Sequence, residues 1–191
     1  MLTLRPFRLL SLGGALAVCL LCGSEARAQF ANHSLGLETA GVYVANPDAL
    51  NSTQGVKQTV GSGGQIGIDA TLYIDGGFDF YIRVLVGIHQ SDRCNGLQGC
   101  QVVGVVPALG FRYLLLEDTI RPYLGLTVGY LAFFTAEYDS RFAISPMGGV
   151  EFFISDSFSI GPQIEYHLML ELNQKEPAHA VIGVVRMGWY F

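Results

Sequence analysis

The segment Gln65-Ile66-Gly67-Ile68-Asp69-Ala70-Thr71-Leu72-Tyr73-Ile74 is followed by Asp75-Gly76-Gly77, and then by Phe78-Asp79-Phe80-Tyr81-Ile82-Arg83-Val84-Leu85-Val86-Gly87-Ile88-His89. Successive side chains of a strand point to opposite sides. Ile66, Ile68, Ala70, Leu72 and Ile74 therefore share one face, and Gln65, Gly67, Asp69, Thr71 and Tyr73 the other. The same parity sets Phe78, Phe80, Ile82, Val84, Val86 and Ile88 against Asp79, Tyr81, Arg83, Leu85, Gly87 and His89. Two such runs joined by a short glycine turn predict an antiparallel hairpin.

Working outward from this hairpin, the same period continues. Later one-face sets are Val103, Val105, Leu109, Phe111 and Tyr113; Ile120, Leu124, Leu126, Val128 and Tyr130; and Phe142, Ile144, Val150, Phe152 and Ile154. Phe158, Ile160, Ile164, Tyr166 and Leu168 form a seventh strand, and Val181, Val185, Met187, Trp189 and Phe191 an eighth. Leu35, Leu37 and Tyr43 mark a weaker first. The connections alternate in length. Asp75 to Gly77, Leu116 to Thr119 and Ser155 to Ser157 are short, whereas Ala45 to Gly64, Ser91 to Cys100, Thr135 to Arg141 and Glu171 to Ala178 are long. Short turns at one end and long loops at the other predict an all-β chain folded as an eight-stranded antiparallel up-and-down transmembrane β-barrel. A soluble β-sandwich would turn polar side chains outward. Here large apolar side chains fill one face and Arg, Asp and Glu the other, the inside-out pattern of a barrel in lipid.

Composition agrees. The chain of 191 residues is 50% hydrophobic and only 14% charged, with a formal net charge of −5. An acidic chain this apolar is neither disordered nor a nucleic-acid binder. Arg5 and Arg8, the apolar run Phe7 to Cys22, and Ala26-Arg27-Ala28 have the form of a secretory signal peptide. The domain reading is thus 1–28 signal peptide and 29–191 barrel. In an oxidising compartment Cys94 and Cys100 read as a disulfide closing a tight loop.

If the apolar set faces lipid, the opposite set places Arg83, Arg112, Arg121 and Arg186 in the lumen with Asp69, Asp79, Glu151 and Glu165. Buried ions need partners, so balanced charges predict a salt-bridged plug. Tyr73, Leu131, Phe133, Met169 and Ile182 also face inward, mostly toward the outer half. Pro107, Pro122, Pro146 and Pro162 fall inside strands, where a missing N–H predicts bulges or bends.

Two stretches carry a resemblance. Val181 to Phe191, with Trp189 and a terminal Phe191, resembles the C-terminal signal read by the outer-membrane assembly machinery. Arg121-Pro122-Tyr123-Leu124-Gly125-Leu126-Thr127-Val128-Gly129-Tyr130 is similar to a strand of small barrels of the OmpA and OmpW type. The resemblance implies the bacterial outer membrane, both termini periplasmic, with outer-membrane lipid and the assembly machinery as partners. A vaguer similarity is to barrels that serve gliding motility. His167 with Met169 resembles lipid A deacylase barrels except that their serine is replaced, and the adjacent His33 and Ser34 point to opposite faces, so no nucleophile and base meet. The expectation is a non-enzymatic barrel without cofactor or metal. It would act as anchor or interaction component of an envelope, cell-surface or motility assembly through loops 45–64 and 91–100. The alternative is an OmpW-like passage for ions or small hydrophobic solutes.

Overall fold

A computed structural model describes residues 33–46, 60–94, 97–116, 118–134, 140–170 and 177–191, the side chains of 92–94 and 97–99 excepted. The segment read as a signal peptide, most of the first long loop, and the tips of the others lie outside these residues. Eight strands follow one another: β1 (Ser34–Val44), β2 (Val60–Asp75), β3 (Phe78–Cys94), β4 (Leu97–Leu114), β5 (Ile120–Phe133), β6 (Arg141–Ser155), β7 (Phe158–Leu170) and β8 (Ala178–Tyr190). Each pairs antiparallel with its neighbour, and β1 closes on β8 to complete the barrel. The seam is paired from Ser34↔Tyr190 to Val44↔Ala180. At its end the Phe191 N–H donates to the His33 carbonyl at 3.0 Å.

The founding hairpin turns through Gly76 (φ 59°) and Gly77 (φ 84°), two consecutive left-handed residues that glycine adopts without strain. Its strands are held in register by Asp69↔Arg83 and Leu72↔Phe80. Parity then decides orientation: Ile68 is 65% exposed, while Asp69 beside it is 4% exposed. On β5 the outward set from Ile120 to Tyr130, at a tilt near 40°, covers about 26 Å, close to the thickness of a bilayer core. Aromatic pairs cap this band at both ends. Phe78 packs on Tyr113 (4.8 Å between ring centres) and Phe158 on Trp189 (5.3 Å) at the turn end; Tyr130 packs on Phe142 (5.2 Å) at the loop end.

Three expectations are corrected. First, Ser91 to Cys100 is not a loop. The two strands run on past the rest of the barrel, pairing through Arg93↔Gln98 to Cys94↔Leu97 and leaving a two-residue tip. Likewise β2 begins at Val60, within the stretch 45–64 read as loop. Second, the prolines do not bulge the sheet. Pairing of β4 with β5 skips Pro107 and resumes in unchanged register at Ala108↔Gly129, and Pro122 and Pro146 sit opposite Val150 and Leu126 in an even ladder. Pro162 pairs evenly with Val185. The described register shifts lie elsewhere, at Val60/Gly63, Tyr73/Asp75 and Phe153/Ser155. Proline lacks only its own N–H, so one ladder loses a bond while the other strand edge still accepts. Third, Tyr73 belongs to the turn end, where its hydroxyl accepts from the Gly77 N–H at 3.3 Å.

Some inward positions must be glycine. A Cβ built at Gly161 would fall against the Val150 carbonyl oxygen, and one at Gly110 against that of Leu126. The wall can coil this tightly only where nothing projects from these positions.

Candidate functional site: the barrel lumen

The lumen has two tiers. Nearest the loops, Val42, Val44, Val60, Leu85, Val102, Val106, Leu131, Ala143, Met169, Ala178, Ala180, Ile182 and Val184 form a packed apolar core, with Phe133 against it. Below it, toward the turns, lie the charges.

Each of Arg83, Arg112, Arg121, Arg186, Asp69, Asp79, Glu151 and Glu165 is buried and inward. Arg83 grips Glu165 with both terminal nitrogens, Nη2 to Oε2 at 2.5 Å, and reaches Glu38 at 3.5 Å. Glu165 is further bound by Gln163 Nε2 at 2.5 Å and by His167 Nε2 at 2.8 Å. Arg112 bridges Asp79 (2.7 Å) and Glu151 (3.0 Å). Arg186 bridges Asp69 (2.6 Å) and Glu151 (2.6 Å) and donates to Ser34 Oγ at 2.7 Å. Tyrosine hydroxyls complete the acceptors: Tyr81 donates to Glu38, Tyr190 to Glu151, and Tyr123 to Gln163. The Arg112 guanidinium also lies 4.7 Å from the Tyr123 ring centre, a favourable approach of cation to ring face.

Partner choice is the instructive part. The register sets Asp69 directly opposite Arg83, Glu38 opposite Arg186, and Arg121 opposite Glu151. Yet Arg83 crosses from β3 to Glu165 on β7, and Arg186 crosses from β8 to Glu151 on β6 and, past β1, to Asp69 on β2. In a bore this narrow a long arginine spans the lumen, so Arg83 takes a bidentate grip on a far carboxylate in place of its wall neighbour, whereas Arg112 keeps its wall neighbour Asp79 and adds Glu151. Arg121 lies at the turn end, 4.1 Å from the Phe153 ring centre, with Nε donating to the Asp118 carbonyl at 3.2 Å.

Sequence reasoning missed Glu38 and Arg141. Glu38 lies between Leu37 and Thr39, so the parity already noted for Leu35, Leu37 and Tyr43 turns it inward. Arg141 was assigned to a loop, but it opens β6 and is buried at the loop end.

The residues considered for chemistry are otherwise occupied. Ser34 is bound by Arg186 and Thr71, His33 Nδ1 accepts from the Tyr73 N–H at 3.2 Å, and His167 is held by Glu165. Among the described residues no group of His, Cys, Asp and Glu is arranged to hold a metal ion. Cys100 is disulfide-bonded; in the ladder it lies opposite Ser91, and Cys94 lies opposite Leu97. The Cys94 side chain lies outside the described ones. At the C-terminus Trp189 projects outward onto Phe158, and Phe191 completes the seam.

No protein-family model matches the chain, and no curated protein matches it in sequence. Solved structures do match in shape. The outer-membrane protein OprG from Pseudomonas aeruginosa superposes with a TM-score of 0.60 at 14% identity, covering 87% of this chain and 99% of that one. Neisserial surface protein A gives 0.59 at 12% identity, covering 86% and 100%. Ail, the attachment invasion locus protein of Yersinia pestis, solved with the heparin analogue sucrose octasulfate, gives 0.52 at 14%, covering 83% and 97%. With eight strands, a closed seam, an apolar belt outside and charges within, this chain has the fold of the small eight-stranded outer-membrane β-barrels.

Proposed function

We propose that the chain spans a bacterial outer membrane as a closed, non-enzymatic barrel, turns and termini in the periplasm, and acts through its surface loops. It would be an anchor or interaction component of an envelope or cell-surface assembly, in adhesion or motility, with 45–64 and the 91–100 ribbon as contact surfaces. Cleavage after Ala28 would release the barrel from its signal peptide.

The filled lumen carries this reading. The charged tier ties opposite walls together, and a pocket lined by Val42, Val60, Leu131, Phe133 and Met169 in the apolar tier has about 20 Å³ of room, near that needed by one water molecule. A passage for ions or small hydrophobic solutes, the alternative, has an apolar outer lumen in its favour, but among the described residues the ion pairs of the charged tier cross its path. Planar bilayers should remain silent after insertion of the purified protein; steady conductance would overturn the reading. Crosslinking from positions 45–64 in intact cells should then capture a defined envelope partner.

The disulfide of Cys100 we assign to Cys94, where it would clip the tip of the ribbon; Cys94→Ser should leave barrel assembly intact, and loss of folded protein in that variant would overturn the assignment. The assembly role of Trp189 and Phe191 is separately testable. Deleting Phe191, or changing both residues to Ser, should lower the yield of folded barrel in the outer membrane several-fold, while the purified variant refolds in detergent with a near-native midpoint. Equal yields would remove the assembly assignment.

A further inference from the structure

The pocket in the apolar tier is not wholly apolar. Beside Leu131, Phe133 and Met169 it is lined by Gln65, His89 and His167, each more than nine-tenths buried. Gln65 and His89 belong to the adjacent strands β2 and β3, whereas His167 belongs to β7, across the closed barrel from them. The two near side chains meet over Gly87, the direct cross-strand partner of Gln65. A Cβ built at Gly87 would come within 2.7 Å of Gln65 Cγ and 2.9 Å of His89 Nε2. Glycine at this position therefore leaves the seat in which the Gln65 amide lies against the His89 ring, Nε2 to Nε2 at 3.5 Å. The other ring nitrogen of His89 is turned to the β2 backbone, where a Cβ built at Gly63 would come 3.0 Å from it.

With its amide nitrogen directed at His89, Gln65 is left with Oε1, a buried acceptor that has no partner. Leaving such an atom unpaired in a low-dielectric interior is costly. On the opposite wall His167 donates from Nε2 to Glu165 at 2.8 Å, so in the neutral ring Nδ1 carries no hydrogen and is a second acceptor. Two acceptors on facing walls call for a small molecule with two hydrogens to donate. The room available, about 20 Å³, is that of one water, and buried waters occur where a few polar groups converge in this way. We propose that this pocket is a binding site for one water molecule, which donates one hydrogen to Gln65 Oε1 and the other to His167 Nδ1. The bound water braces β2 against β7 beside the charged tier, and through His167 it joins the Glu165 and Arg83 pair. The site rests on the filled lumen and not on the surface role proposed above.

The test uses the full mature barrel, isotope-labelled in the methyl groups of Met, Leu and Ile and folded in protonated dodecylphosphocholine micelles. Methyl-selected NOE spectra should show cross-peaks at the water frequency for Met169, Leu131 and Ile182, which line the pocket. Gln65→Met keeps the length of the side chain but removes the acceptor, and Ala180→Val adds bulk to the pocket wall. Each should weaken these cross-peaks at least fivefold in a barrel that still folds. Wild-type methyl groups silent at the water frequency would overturn the site. Cross-peaks that persist in Gln65→Met would trace to a ring proton of His167 exchanging with solvent, and would overturn it too. Cross-peaks at the detergent-chain frequency would put an apolar tail in the pocket in place of water. A dry pocket leaves the lumen closed, whereas conductance in planar bilayers would overturn the closure itself, so the two failures are distinct.

Discussion

Glu165→Ala should lower the unfolding free energy by about 3 to 5 kcal/mol, the cost of leaving a buried guanidinium uncompensated. Arg83 has both terminal nitrogens committed to Glu165, and its remaining acidic partner, Glu38, is at the long distance of 3.5 Å. Gln163 and His167 lose their shared acceptor in the same variant. Arg83→Met/Glu165→Leu removes both charges at similar volume and should recover much of the loss, so the double-mutant coupling should be large. Urea titration of the detergent-folded barrel reads all three variants. A Glu165→Ala midpoint equal to wild type would mean that water reaches Arg83, and the lumen would then have to be treated as hydrated.

The second large effect is expected at Gly161. Alanine there presses its Cβ against the Val150 carbonyl oxygen and within 3.0 Å of the Glu151 Cα. Both are backbone atoms of the adjoining strand and cannot rotate away. Moving the wall should cost about 3 kcal/mol and displace Glu151, where the Arg112 and Arg186 bridges converge. Gly183→Ala is the control: its Cβ enters open space, and its midpoint should equal or slightly exceed that of wild type. If the two variants unfold together, close strand approach is not what holds glycine at 161.

What could be read from sequence, and what could not, follows from where lipid touches the chain. Alternation of Ile, Val and Phe with Asp and Arg exists because one side of each strand faces hydrocarbon, so strand number, parity and the inward charges were legible from the segment 65–89 outward. Beyond the bilayer that contrast ends. Between Ser91 and Cys100 Leu97 is the one large apolar residue, so no alternation marks a face and a paired ribbon resembles a loop. Arg141 lies at the same kind of boundary and was lost for the same reason. Glu38 was within reach, but its strand has few large outward residues to draw attention to its inner face. The choice of far over near ion-pair partners was not legible, because register names only wall neighbours, whereas bore width and arginine length decide which carboxylate is gripped.

The bridges that cross the lumen also govern the order of events during folding. Arg83 and Glu165 are 82 positions apart in the chain, and Arg186 and Asp69 117, so neither contact can form until nearly every strand is in place. A half-closed sheet can already hold Arg112 to Asp79, direct partners on β4 and β3, but it leaves Arg83 without Glu165, and the contacts of Arg186 with Ser34 and Asp69 arrive only with the last pairing of β1 on β8. Closure is then steeply cooperative, and reopening that seam requires giving up Arg186 to Ser34 and Asp69 together. Unfolding should therefore be slow and should show hysteresis: the barrel persists in denaturant concentrations at which the separated strands would never assemble.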